Sequence, residues 1–185
     1  MRGNFASPHA MTVDGDTVVA DMGINRMSIP MRPDGGAWSN VHDLTRYLQM
    51  ELAAGKLADG RRYIGIAPLQ ERLKGQVARG GVEQWYGMGL KTDRRQGVLQ
   101  VTHGGSMPGY QAEMTWLPES NAGYVLLMNA DAGMQLRGVF VDRFLELLFD
   151  REPKAVAPLA ALPSSMAEER KEHRATLTLP LAEDI

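Results

Sequence analysis

The sequence contains no cysteine, so disulfide bonds and thiolate metal sites are excluded. It has no apolar run of the ~20 residues that a membrane-spanning helix requires, and we therefore expect no membrane span. Its 20 lysines and arginines are balanced by 22 aspartates and glutamates, a formal net charge of −2, which argues against a nucleic-acid partner. The four histidines are scattered, with no His-x-x-x-His pair, so we expect neither a metal nor another cofactor.

What is present is the composition of an ordinary globular protein. The 185 residues are 44% hydrophobic and 23% charged, enough for one domain with a substantial core. Among the large apolar side chains, we expect core packing of the methionines, of Trp85 and Trp116, and of Tyr110.

The most informative stretch of the chain is residues 98–110. Residues 98–102 are rich in β-formers and predict a strand. Gly104 and Gly105 predict a turn, in which the missing Cβ atoms let the backbone lie close to another molecule. His103 is the side chain here that exchanges a proton near neutral pH. Pro108-Gly109 is turn chemistry and leads into another strand.

The flanking segments predict the rest of the fold. Apolar runs at 110–117 and 123–129 surround a hairpin connection at 118–121, and the short connections make these strands antiparallel. A helix capped by Ser39 or Asn40 runs towards Gly55. A shorter helix is predicted over 68–74 and a final one with an apolar stripe formed by Leu136, Phe140, Phe144, Leu147 and Leu148. We predict an α+β fold with α/β-type layers, an antiparallel sheet of three to four strands packed against the C-terminal helix.

Three segments, in this order along the chain, resemble motifs of one family. Residues 35–44 are similar to its Gly-Gly-x-x-Ser-x-x-x-Asp-Leu segment, and residues 86–90 are similar to its Tyr-Gly-x-Gly strand. The third segment begins with His-Gly-Gly-Ser at 103–106. It continues through a Pro-Gly turn and Leu-Pro-Glu at 117–119 to a strand ending at Asn129, an order that is also found in the family. The chain resembles, over roughly residues 5 to 150, the C-terminal half of the serine β-lactamase and penicillin-recognising family, which includes class C β-lactamases, D-alanyl-D-alanine carboxypeptidases, esterases and D-aminopeptidases. The resemblance implies a partial β-lactamase/transpeptidase-like fold.

Two motifs of that family are absent from the sequence. No lysine has a serine three positions before it, so there is no Ser-x-x-Lys, and no tyrosine or serine has an asparagine two positions later. We therefore expect a fragment of a longer serine hydrolase that carries one wall of the active site but not the nucleophile, and that is inactive alone. We expect residues 1–153 to belong to the β-lactamase-like domain and 154–185 to be a linker or tail.

The resemblance implies roles for four residues. In the family, a serine attacks an amide or ester carbonyl of a β-lactam, a D-amino-acid peptide or an ester, and an acyl-enzyme forms. The backbone N–H of Ser106 would help to bind the oxyanion, and Gly104 and Gly105 would let the substrate lie along the strand. His103 would donate a hydrogen bond to a substrate carboxylate or to a proton-shuttling tyrosine.

Other interpretations of the same residues remain open. His103 could be a solvent-facing side chain at a tight strand exit, and the chain a non-catalytic binding or structural module. A nucleophile elbow around Ser106 is rejected, because Pro108 replaces the last glycine of Gly-x-Ser-x-Gly and no helix is predicted to follow.

An uncovered sheet edge predicts a homodimer or swapped assembly. The compartment is left open: Met1 is not followed by a signal-peptide apolar core, although a periplasmic or secreted parent would fit the family.

Overall fold

A computed structural model describes residues 4–12 and 14–176. Its elements in chain order are β1 (His9–Met11), β2 (Thr17–Val19), a 3₁₀ helix (Met22–Met31), α1 (Val41–Leu52), α2 (Ile66–Leu73), β3 (Val77–Ala78), β4 (Trp85–Tyr86), β5 (Lys91–Arg95), β6 (Val98–Met107), β7 (Tyr110–Leu117), a 3₁₀ turn (Pro118–Ser120), β8 (Ala122–Met128), α3 (Gly133–Leu148) and α4 (Val156–Thr176). They form two compact units, Met27–Met107 with Gln111–Met128, and Met1–Arg26 with Pro108–Tyr110 and Asn129–Ile185. None of the described helices combines the length and apolarity required to cross a bilayer.

The larger unit is built on a sheet of six strands in the order of the sequence, β3-β4-β5-β6-β7-β8. The pairs β3–β4, β4–β5, β5–β6 and β7–β8 are antiparallel. This confirms the predicted α+β class with an antiparallel sheet, although the sheet has more strands than the three to four expected. The segment 86–90, which resembles a strand of the family, is extended only at Tyr86, because Gly87 turns the chain by donating its N–H to the Leu90 carbonyl at 2.8 Å and Gly89 has φ +72°.

The turns follow from residues that tolerate positive φ. Gln96 and Gly97 both have positive φ, 53° and 80°, as a type I′ hairpin turn between β5 and β6 requires. Asn121, with φ 48°, completes the predicted connection between β7 and β8. The turn expected at Gly104 and Gly105 is wrong: both lie inside β6, which continues to Met107.

Helix α1 covers one face of this sheet. It begins where predicted, because the Asn40 side chain accepts a hydrogen bond from the Asp43 N–H at 3.0 Å. Its Leu48 forms a buried core with Leu90, Val101 and Trp116. Each such side chain contributes about 1.5–3 kcal/mol to the free energy of folding, so this core fixes the central strand β6.

The smaller unit contains the β1–β2 hairpin and the helices α3 and α4, which contact each other. In α3, Leu145 is fully buried whereas Leu147 and Leu148 are exposed, so the predicted apolar stripe is wrong at its C-terminal end. The buried Glu146 carboxylate accepts a hydrogen bond from the Ala155 N–H at 2.6 Å and thereby ties α3 to the start of α4. Residues 156–176 of the predicted tail are helical, and 177–185 lie outside the described residues; the domain boundary remains a prediction.

Candidate active site

The four predicted site residues are consecutive on β6, within the larger unit. Side chains alternate between the two faces of a strand, so His103 and Gly105 share a face with Val101, and Gly104 and Ser106 lie on the other. Val101 is fully buried in the core with Leu48 of α1. His103 and Gly105 therefore lie on the face of the sheet that α1 covers.

Residues 103–107 of β6 lie past the end of β5. The ladder between the two strands ends at the Lys91–Thr102 pair. β6 has ten residues and five of them pair with β5, so five more, 103–107, continue past it. Pairing with β5 therefore does not extend to the four predicted site residues.

A cleft of about 330 Å³ adjoins His103. Its walls are mostly apolar, and its lining residues come from α1, α2, the β4–β5 turn and the strands β6 and β7: Leu44, Tyr47, Arg72, Met88, Gly89, Leu90, His103 and Met114. The side chain of His103 is exposed and makes no hydrogen bond or ion pair with another described residue. Both of its ring nitrogens are thus available to a bound molecule.

Two polar side chains that line this cleft, Tyr47 and Arg72, interact with each other and with the nearby Glu51. The Arg72 guanidinium donates to the Tyr47 hydroxyl at 3.1 Å and to the Glu51 carboxylate. Burial, reinforced by the hydrogen bond to Glu51, raises the pKa of Tyr47, so its hydroxyl keeps its proton at neutral pH. Burial opposes the charge on Arg72, but its bonds to Tyr47 and Glu51 outweigh that effect and raise its pKa.

Gly105 and Ser106 have different surroundings. A Cβ atom added to Gly105 would meet no heavy atom within 4 Å, so the space above this residue is open. The Ser106 hydroxyl accepts a hydrogen bond from the Gln111 amide at 2.8 Å. Ser106 is followed by a two-residue turn and β7 rather than by a helix, which agrees with the rejection of a nucleophile elbow at this position.

The structure corrects one interpretation of His103 and adds residues that sequence reasoning missed. His103 lies in the middle of β6 rather than at a strand exit. Tyr47 and Glu51 of α1 and Arg72 of α2 belong to no recognisable sequence motif. The available signal was weak: Tyr47 and Glu51 are four residues apart on one helix and therefore neighbours on its surface.

Within residues 4–12 and 14–176, no group of three or more histidine, aspartate or glutamate side chains is arranged to hold a metal ion. The polar groups at the cleft are suited instead to hydrogen bonding with an organic molecule.

Comparison with known families settles the affiliation of the chain. The sequence model of the family described as Beta-lactamase matches residues 2–139. The chain belongs to the β-lactamase family. No curated protein is similar enough to match.

Two solved structures share the fold of this family member. The octameric penicillin-binding protein homologue from Pyrococcus abyssi is 19% identical with a TM-score of 0.62, and the match covers 80% of this chain and 32% of that one. The penicillin-binding protein from Bacillus halodurans is 18% identical with a TM-score of 0.56, covering 74% of this chain and 39% of that one. The chain thus spans well under half the length of these two proteins.

Proposed function

We propose that this chain supplies one wall of a serine acyl-transfer site that acts on an amide or ester: a β-lactam, a D-amino-acid peptide or a simple ester. The nucleophilic serine and its lysine come from outside this sequence, which has no Ser-x-x-Lys and no Tyr-x-Asn. The serine oxygen attacks the substrate carbonyl, the amine or alcohol leaves with a proton, and water then hydrolyses the acyl-enzyme.

The observation that carries the proposal is the position of His103 and Gly105 on the half of β6 that continues past β5. Both lie past the last residue that β5 pairs, on one face, and His103 borders the cleft. A substrate backbone lying along this edge would have room at Gly105, where no heavy atom approaches. Its reacting end would lie beside the exposed imidazole.

Each residue has a role in this proposal. His103 donates a hydrogen bond to the substrate or to a proton-shuttling group, Gly104 and Gly105 admit the substrate backbone, and the Ser106 N–H contributes to oxyanion binding. The Ser106 hydroxyl takes no part. The hydroxyl is hydrogen-bonded to Gln111 on the face of β6 opposite to His103. This supports a role for the Ser106 backbone N–H and none for its hydroxyl.

The first test uses the chain by itself. Incubated with a fluorescent penicillin, a nitrophenyl ester and a fluorophosphonate, it should show neither turnover nor covalent labelling, because the nucleophile is absent. A polypeptide that includes an in-frame upstream Ser-x-x-Lys should be labelled at that serine. Stoichiometric labelling of any serine of the isolated chain would contradict the proposal.

A non-catalytic binding module is the second candidate, favoured by the absence of both nucleophile motifs from the sequence. The two candidates differ in one outcome. If no in-frame upstream sequence restores labelling, yet the chain binds amides or esters at the β6 edge, the module is the correct description.

A further inference from the structure

Arg72 joins three of the elements that line the cleft beside His103. Its guanidinium donates hydrogen bonds to the Tyr47 hydroxyl at 3.1 Å and to the Glu51 carboxylate, both on α1. Its backbone carbonyl accepts the Met88 N–H at 3.0 Å. One residue in the last turn of α2 is thus bonded both to α1 and to the turn between β4 and β5.

The turn between β4 and β5 has little freedom where it meets Arg72. A Cβ atom at Gly87 would lie 2.2 Å from the Arg72 carbonyl oxygen, so the two backbones are in direct contact there. Within the turn, the Gly87 N–H donates to the Leu90 carbonyl at 2.8 Å and the Gly89 N–H to the Gly87 carbonyl at 3.0 Å. A displacement of Arg72 would therefore displace the whole turn.

The same turn and His103 border one cleft. Met88, Gly89 and Leu90 line it together with His103, and Leu90 also belongs to the buried core with Val101. The position of the turn therefore sets the space that a bound group has beside the imidazole.

The guanidinium of Arg72 acts on the protein rather than on a bound molecule. Its Nε is buried and has no hydrogen-bond partner among the described residues, and the side chains of Arg72 and Glu51 are 25% and 5% exposed. Such a buried ion pair adds little stability, because the cost of desolvation offsets the attraction. A planar guanidinium that bonds two partners on one helix is, however, fixed in its orientation.

We propose that Arg72 is a positioning residue of the acyl-transfer site: it holds the β4–β5 turn to α1 and thereby fixes the wall of the cleft that adjoins His103. Tyr47 and Glu51 are its anchors on α1. The inference rests on the proposed function for the site that is positioned. Misplacing reacting groups by about 1 Å can cost about 10²-fold in rate, so a residue that touches no substrate can still affect catalysis.

Hydrogen exchange in the intact chain tests the positioning without using catalysis. Arg72→Met removes both side-chain bonds to α1 and should increase the exchange rate of the Met88 amide at least about tenfold, because the turn opens more often. Arg143→Met is the matched control, since Arg143 of α3 also pairs with a buried glutamate, Glu146, and these side chains are 29% and 4% exposed. It should leave the Met88 rate within about threefold. A Met88 rate that is unchanged in Arg72→Met, or equally raised in both variants, would overturn the proposal.

Arg72→Lys keeps the experiment decisive if Arg72→Met does not fold. Lysine retains a positive charge for Glu51 but has no planar fork with which to bond Tyr47 and Glu51 together. It should raise the exchange rate of the Met88 amide by about threefold or more. An unchanged rate would show that the fork does not hold the turn and would contradict the proposal.

In a catalytically active longer polypeptide, kinetics separate positioning from stability. Measured well below the thermal midpoint, Arg72→Met should lower kcat/KM about tenfold through kcat, because the substrate still binds but is held outside the reactive geometry. Arg143→Met should keep kcat/KM within about twofold of the parent. Equal losses of kcat/KM in the two variants would reduce Arg72 to a stabilising residue and overturn the proposal.

The outcome is separable from that of the proposed function. Absence of hydrolysis in every longer polypeptide would refute the proposed function, while hydrogen exchange still decides whether Arg72 positions the turn. Restored hydrolysis that Arg72→Met leaves unchanged would refute the positioning role alone.

Discussion

Residues 98–102 and 103–107 belong to the same strand, β6, and have different surroundings. In the first half, Val98 and Val101 are buried and every residue pairs with β5. In the second half, His103, Gly105 and Ser106 are exposed and the β5 ladder has ended. The core packing of the first half holds the backbone of the second in place, so exposed groups can be presented in a fixed geometry without being buried themselves.

The largest effect expected from this contrast concerns two glycines. A Cβ at Gly123 would lie 2.6 Å from the Thr115 carbonyl oxygen and 2.8 Å from the Leu48 side chain, whereas one at Gly105 meets nothing. Gly123→Val should lower the free energy of unfolding by about 3 kcal/mol, because backbone atoms cannot move aside, and Gly105→Val should change it by less than about 0.5 kcal/mol. Urea denaturation followed by circular dichroism measures both, and equal losses would contradict the contrast.

The next effect concerns His103 in a catalytically active longer polypeptide. His103→Ala should lower kcat/KM by about 10²-fold, the range for losing an acid–base or electrostatic contributor, with the thermal midpoint nearly unchanged because the side chain is exposed. Gly105→Val should do comparable damage by obstructing the substrate backbone. Activity of His103→Ala within about threefold of the parent, at unchanged stability, would reduce this histidine to a structural strand residue.

A smaller effect is expected at Ser106, on the other face of the same half-strand. Ser106→Ala keeps the backbone N–H and should leave kcat/KM within about threefold of the parent. It should cost about 1 kcal/mol of stability, because the hydrogen bond from the buried Gln111 amide to the Ser106 hydroxyl is lost. A loss of activity of about 10²-fold or more would instead implicate the hydroxyl in the chemistry.

The weakest expected effect is self-association through β6, beside the residues that continue past β5. Unpaired strand edges serve as templates for another extended chain, so sedimentation velocity should show dimers that increase with protein concentration. Gly105→Lys should reduce them, since a charge on the edge disfavours pairing. A strict monomer at high concentration would contradict the prediction.

Local sequence patterns were sufficient to predict those structural features whose stabilising interactions join residues close together in the chain. The helix cap at Asn40 depends on a side chain three residues from its donor, and the hairpin connection ending at Asn121 on a residue that accepts positive φ. Trp116 and Trp85 show where such patterns stop being sufficient. Both were expected in the core, but Trp116 is 2% exposed and Trp85 is 44% exposed, because Trp85 lies on the short strand β4 near the sheet edge.

By itself, then, the sequence determined the family, the antiparallel hairpins, the first helix and the clustering of His103, Gly104, Gly105 and Ser106, because each depends on residues close together in the chain. Only the tertiary structure decided that β5 ends before His103 and that β6 continues past it. It also brought Arg72 of α2 to Tyr47 and Glu51 of α1. Arg72 is more than twenty positions from both of these residues, so packing of the two helices, not sequence pattern, creates the cleft and its charge balance.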